Sequence, residues 1–243
     1  MQMDKETSQK LEAFHKTAAL AAEVVLFRDF PIKIVELHQL IEATSSPTSI
    51  FHLSHASSST DATVHPSTAG EGPDPKKRKL DSAEINGFHS NAPYTGRVLP
   101  NSHLKQVHET VKRECEHMAE SCDKIKLWVN LSMPKIEDGD NFGVQIQEEV
   151  LNELHRSQEA AYNLRDAARQ DYLARAKICS KLLKYPNVED YVLALQEHDE
   201  KQLYVARQNL IDLRNMYAIL TDIMHKNISK IRTPKANNSV GLY

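Results

Sequence analysis

Asp138, Asp140, Gly143 and Glu149 have the spacing of a calcium loop, standing at positions 1, 3, 6 and 12 of an EF-hand pattern. That chemistry needs an oxygen donor at position 5, where Phe142 stands, and usually a water-linked one at position 9, where Ile146 stands. With those ligands missing and no partner loop elsewhere, no metal is expected, and an interhelical turn accounts for the same residues. In that turn Pro134 ends one helix, the glycines permit positive φ and the Asx side chains cap backbone groups. Glu137 and Asp138 have the residue types of an acid/base pair, but adjacent carboxylates on a small loop lack the cleft that would set their protonation states apart.

No nucleophile elbow, P-loop, dinucleotide fingerprint, zinc-protease helix or Cys-x-x-Cys pair occurs, so neither catalysis nor a cofactor is expected. The 12 histidines are scattered, with His52, His55, His65 and His89 in a low-complexity region, and helical ones such as His117 and His198 read as exposed or packed side chains. Cys115, Cys122 and Cys179 fall at apolar helical positions, as expected of buried reduced thiols, and three cysteines cannot all pair. The formal net charge of -3 excludes a uniformly basic nucleic-acid binder, because neutralising phosphates requires clustered cations. Two local basic features remain. Lys76, Lys77, Arg78 and Lys79 form a compact run after Pro75, the kind of extended cationic segment that an acidic groove captures, and it reads as a nuclear-import motif. Arg165, Arg169, Arg175, Lys177, Lys181 and Lys184 form a stripe that is either a solvated face or, in a ring, the lining of a pore. No run of about 18 apolar residues could span a bilayer and the first residues are too polar for a secretory signal, so the reading is a soluble intracellular protein without a membrane partner.

The elements that must hold these features are helices. Gly is rare at 7 of 243 residues, aromatics are 6%, and Leu, Ala, Glu, Lys and Gln crowd the C-terminal half. Leu11, Phe14, Ala18, Ala21 and Val25 recur at helical spacing from Ser8 to about Ile41, with Pro31 expected to bend or interrupt the helix. From Thr44 to Pro100 the period vanishes into Ser, Thr, Pro, His and Gly, which cannot bury enough apolar area to offset ordering, and a long flexible connection is expected. Leu104, Val107, Val111, Cys115, Met118, Cys122, Ile125 and Val129 define a second helix that Pro134 stops. Val150, Leu154, Ala161, Leu164, Ala168, Ala176, Cys179 and Leu183 define a third, ending at Tyr185-Pro186. Asn187, with Asp190 three residues on, reads as the N-cap of a fourth, carrying Leu195, Leu203, Ala206, Leu210, Leu213, Tyr217, Leu220, Met224 and Ile231 up to Pro234.

The class is therefore all-α, an elongated four-helix bundle. It divides into an N-terminal helix (4–43), a low-complexity connection with the basic motif (44–100) and three further helices (101–243) with a loop over 133–144 and a tail over 234–243. Helices of about 40 residues make a thin bundle with much surface for its core, which suggests sideways packing against copies of itself; an elongated monomer or an antiparallel coiled coil are the alternatives. The tail ends in Val240, Gly241, Leu242 and Tyr243. A polar tether ending in two bulky side chains suits capture in a partner's pocket, although frayed termini are commoner.

Trp128 to Leu131, Pro134 to Gly139, Asn141 to Val144, Gln147 to Glu149, Tyr185 to Tyr191 and Leu213 to Asn215 together resemble the 11S (REG) proteasome activators, above all their gamma type, over about Leu104 to Tyr243. The first helix matches weakly, and the connection matches mainly through Lys76, Lys77, Arg78 and Lys79. The resemblance implies a non-catalytic homoheptameric ring that caps the 20S proteasome without ATP or ubiquitin. On this reading Val240 to Tyr243 dock between proteasome α subunits, and Pro134, Lys135, Ile136, Glu137, Asp138, Gly139, Asp140, Asn141, Phe142 and Gly143 press on the gate. Asp140 stands where the family usually has Asn, so a charge is added there. Lys177 matches a pore-facing lysine of the gamma type, and the basic run implies a nuclear-import receptor and a nuclear location. The rival reading is a nuclear helical adaptor that binds clients through 44–100 and opens no proteasome.

Overall fold

The computed structural model describes residues 3–66, 96–135 and 142–234. Helix α1 (Lys5–Val24) runs through a π-helical turn (Val25–Asp29) into α2 (Phe30–Ala43). A short α3 (Ser54–Ser59) follows, then a two-residue antiparallel ribbon of β1 (His65–Pro66) and β2 (Gly96–Arg97), then α4 (Ser102–Ser132), α5 (Phe142–Lys184) and α6 (Asp190–Arg232). Short connections make α4, α5 and α6 antiparallel neighbours, and α1 and α2 form a fourth, interrupted rod against α4 and α6. The result is a slender all-α bundle whose α5 and α6, at 43 residues each, extend about 65 Å at 1.5 Å per residue.

Periodicity places the core correctly along α4 and α6, where every apolar position named from the sequence is buried and Trp128 joins them. The other two rods differ. Leu11 and Phe14 are 43% and 49% exposed and Ala21 is exposed, so the apolar stripe of α1 is largely uncovered within the protomer, apart from Ala19 against the core, until Ala22, Val25, Leu26 and Phe30 enter it. In the second half of α5, Ala176 is exposed, Cys179 and Leu183 are only half-buried, and Leu182 is the buried residue. There the inward face is polar, because Asp171 and Arg175 occupy it.

Pro31 does not break the first rod where it stands. It sits in the first turn of α2, the position where a missing N–H costs least, and the irregularity lies upstream in the π turn, where the Phe30 N–H reaches the Val25 carbonyl. Asn187 likewise does not cap the last helix, which starts at Asp190 with Glu189 at its cap. The N–H groups of Tyr191 and Val192 are taken by the carbonyls of Val188 and Glu189.

The flexible connection expected over Thr44–Pro100 is a correction for 44–66 and 96–100, which fold onto the bundle. Phe51 is fully buried in the core and Ala56 nearly so. Asp199, inaccessible to solvent, accepts hydrogen bonds from Thr60 Oγ1 (2.9 Å), Asn101 Nδ2 (2.9 Å) and Arg175 Nε (3.0 Å), while Arg175 Nη1 donates to the Leu99 carbonyl (3.0 Å). Asn101 Oδ1 meanwhile caps α4 by accepting from the N–H groups of His103 and Leu104. Arg175 thus leaves the basic stripe and becomes a buried tie between the connection and two helices. Nearby, buried Asp171 accepts from His108 Nε2 (2.9 Å) and His198 Nε2 (2.7 Å). Burial pushes its carboxyl up, but the two imidazole hydrogen bonds outweigh that and hold it at about 2.

Two outcomes follow for denaturation experiments. Asp199→Ala, which strands a buried guanidinium, lowers unfolding free energy by about 3–5 kcal/mol in urea titrations. Because the Asp171 value is depressed below its ordinary 3.8, its contribution is full above that pH and disappears as pH falls toward about 2. Stability measured from pH 5 to pH 2 therefore falls less steeply in Asp171→Asn than in the parent; identical slopes would contradict the His108–Asp171–His198 arrangement.

Candidate functional site

Three chain segments meet at one end of the bundle: the last turn of α4, the first turns of α5 and the last turn of α6. Met133, following α4, has ψ 132°, the extended conformation imposed by the ring of Pro134 behind it, so the chain leaves the helix sharply. It returns as α5 at Phe142. Between these stems Gln147 is fully buried, its Nε2 donating to the Ile231 carbonyl (2.9 Å) and to Ser132 Oγ (3.1 Å). One side-chain amide therefore touches the residue that ends α4 and the last turn of α6. Every helix leaves its final carbonyls without intrahelical donors, and here a neighbouring helix supplies one.

Gly143 brings the segments closer still. A Cβ there would stand 2.6 Å from the Pro234 Cα and carbonyl carbon and would overlap its oxygen, so the bare glycine lets the root of the tail lie flat on the start of α5. Phe142 projects outward at 57% exposure, with the Lys230 ammonium 5.9 Å from its ring centroid. Glu23 anchors the same region through Arg232 (2.8 Å), an outer and partly screened pair. Gln147 Oε1 is buried without a hydrogen-bond partner among the described residues. Such an atom costs about 1–3 kcal/mol, which offsets part of what the two Nε2 hydrogen bonds contribute.

Of the residues singled out in the sequence, Pro134, Lys135, Phe142 and Gly143 flank this convergence. Ile136, Glu137, Asp138, Gly139, Asp140 and Asn141 lie outside the described residues, as do Val240, Gly241, Leu242 and Tyr243 and the basic run Lys76, Lys77, Arg78 and Lys79. Lys177 is exposed on α5, about 50 Å along the helix from Gly143 at 1.5 Å per residue. Its companions in the stripe are engaged: Arg165 with Glu116 (2.7 Å), Arg169 with Asp166 (2.7 Å), and Lys181 and Lys184 over the Tyr185 ring. Ser132 was not read from the sequence, and Gln147 and Ile231 were read there only as part of a motif and of an apolar stripe, not as hydrogen-bond partners. Gln147 left a trace there, as a polar residue in the inward 3/4 register of Gly143, Val150 and Leu154.

A cavity of about 430 Å³ opens elsewhere, between β2, α4 and α5. Two of its charged lining residues are already spent within the protein, Asp171 on two histidines and Arg175 on Asp199. Burial pushes the thiols of Cys115 and Cys122 up to about 12, so neither is poised as a nucleophile or thiolate ligand.

Known proteins share this architecture. A family model described as proteasome activator PA28, C-terminal, matches residues 97–241. The chain is 34% identical to proteasome activator complex subunit 3 of Homo sapiens, over 100% of this chain and 98% of that one. It superposes on the 11S subunit of the Plasmodium falciparum proteasome, PA28, with a TM-score of 0.75 and 32% identity, covering 97% of each. A chain from the archaebacterial 20S proteasome–PA26 complex gives a TM-score of 0.66 at 14% identity, covering 96% of this chain and 99% of that one, a likeness of fold.

The contact between Gly143 and Pro234 is open to a direct check. Gly143→Ala forces the tail root off α5 and raises amide exchange over residues 229–233 by about tenfold or more, with little change elsewhere. Unaltered exchange there would show that the contact is not made.

Proposed function

The chain belongs to the PA28 family of proteasome activators, and from that premise we propose that it is a non-catalytic activator of the 20S proteasome, acting without ATP or ubiquitin. The observation that carries the proposal is the convergence of the stems of the 133–144 loop and the root of the C-terminal tail at one bundle end, through Gln147, Ser132, Ile231, Gly143 and Pro234. A cap that anchors by one segment and acts on a gate by another needs both at the face that meets its partner.

In this reading Val240, Gly241, Leu242 and Tyr243 enter pockets between proteasome α subunits and fix the cap in place. The loop Pro134–Gly143 then bears on the gate. Docking alone does not open anything: a ligand with equal affinity for closed and open states shifts no population, so the loop must contact the open gate better. Several weak tails on one assembly act at high effective concentration, which makes a ring the efficient presentation. A homoheptamer meets that need. Support for self-association comes from apolar side chains left uncovered on a single protomer, among them Leu11, Phe14, Leu20 and Phe27 on the first rod and Tyr162, Leu173, Tyr204 and Ile219 on α5 and α6. Lys177, exposed on α5, lines the pore and biases which peptides pass. Lys76, Lys77, Arg78 and Lys79 direct the protein to the nucleus through an import receptor.

Anchoring and gating are separable in this scheme. Deleting Leu242 and Tyr243 abolishes co-sedimentation with 20S particles, whereas replacing Gly139 or Asn141 preserves co-sedimentation and removes stimulation of fluorogenic-peptide hydrolysis. Light scattering of each variant should still give a mass about seven times the 27.5 kDa of one chain. Stimulation that survives loss of the tail would overturn this division of roles.

A further inference from the structure

We propose that Gln147 is a positioning residue that brackets the tail root to both stems of the 133–144 loop, so that docking of the tail sets where the loop meets its target; this deepens the activator reading and rests on it. The tail leaves α6 just beyond Ile231, and the position of that carbonyl is fixed by Gln147 Nε2 at 2.9 Å. The same nitrogen holds Ser132 Oγ at 3.1 Å, the end of the helix entering the loop. Gln147 itself belongs to α5, the helix leaving the loop. All three exits therefore share one amide at the centre of the bundle end.

Two further observations favour positioning over packing. The amide keeps its oxygen buried without a partner, a state that an apolar side chain of similar volume would avoid. Other ties at this end are weaker constraints: Ser132 Oγ reaches the Ile231 carbonyl only at 3.5 Å, the Lys230–Phe142 contact lies on the exposed side at 5.9 Å, and the Arg232–Glu23 pair joins α6 to the first rod rather than to the loop. Gly143 lets Pro234 approach but supplies no directional bond. The geometry thus gives Gln147 Nε2 the task of keeping tail and loop at a fixed relative height.

The test uses the full-length protein with latent 20S particles and a fluorogenic peptide, comparing wild type with Gln147→Met, a near-isosteric and helix-compatible change. For the variant, assembly mass remains that of the wild type and the thermal midpoint falls by only a few degrees, because the Ile231 carbonyl loses a donor. Its half-saturating concentration moves by less than about threefold, because the docking residues are untouched, while the plateau of stimulation drops by about fivefold or more, because the loop no longer stands at a fixed height. Ser132→Ala, which removes the α4 side of the bracket together with the Ser132 Oγ contact to the Ile231 carbonyl (3.5 Å), gives a smaller drop of the same kind and serves if Gln147→Met proves insoluble. An unchanged plateau, or a loss of affinity and plateau in proportion to a lowered melting point, overturns the bracket. Wild type without stimulation overturns the activator reading and the bracket with it; stimulation equal in wild type and both variants overturns the bracket alone.

Discussion

The end of a helix is where its backbone runs out of partners, and the working end of this molecule is built on how that shortage is met for α6. Gln147 reaches from α5 to the Ile231 carbonyl, and in doing so joins three chain segments that are remote in sequence. Were α6 to terminate by fraying, the tail would begin at no defined place and could convey no position to the loop beside it. Gly143 completes the arrangement by offering Pro234 a surface without a side chain.

The opposite half of the bundle solves a different problem with the opposite chemistry. There the core is threaded by charge, with Asp199 holding Arg175, Asn101 and Thr60, and Asp171 holding His108 and His198. These groups are costly to bury singly and stable only together, so they specify where the 44–66 and 96–100 segments lie rather than adding greatly to stability. Apolar packing along α4 and α6 carries the stability, while the stripe on α1 and the outer faces of α5 and α6 stay uncovered on a single protomer. Stiff rods then connect the end where the loop stems and the tail root converge with the polar far half, where Lys177 sits.

Much of this was legible in the sequence, and the exceptions have physical causes. Strict 3/4 alternation located the buried faces of α4 and α6 because both helices are enclosed by neighbours along their length. The same alternation misled for Leu11 and Phe14, since an apolar stripe records that something covers it and does not say whether the cover lies in the same chain. The low-complexity composition of 44–66 concealed an ordered segment, because its order comes from a few anchors, Phe51, Ala56 and Thr60, and from a carboxylate far along the chain at Asp199. Arg175 looked like one more cation in a surface stripe until its partner 24 residues away was in view. At the candidate site, Pro134 and the glycines announced the loop, whereas Gln147 was noticed only as part of a motif: a side chain bonding to a main-chain carbonyl 84 residues away leaves no spacing rule to read.

The central claim is that this bundle end opens a proteasome, and a titration of the purified full-length chain into latent 20S particles tests it most directly. The account predicts a saturable rise in the hydrolysis of short fluorogenic peptides that sets in with formation of the closed assembly and needs no nucleotide. A closed assembly that sediments with the particles, or fails to, while hydrolysis stays at its latent level throughout the titration would contradict it.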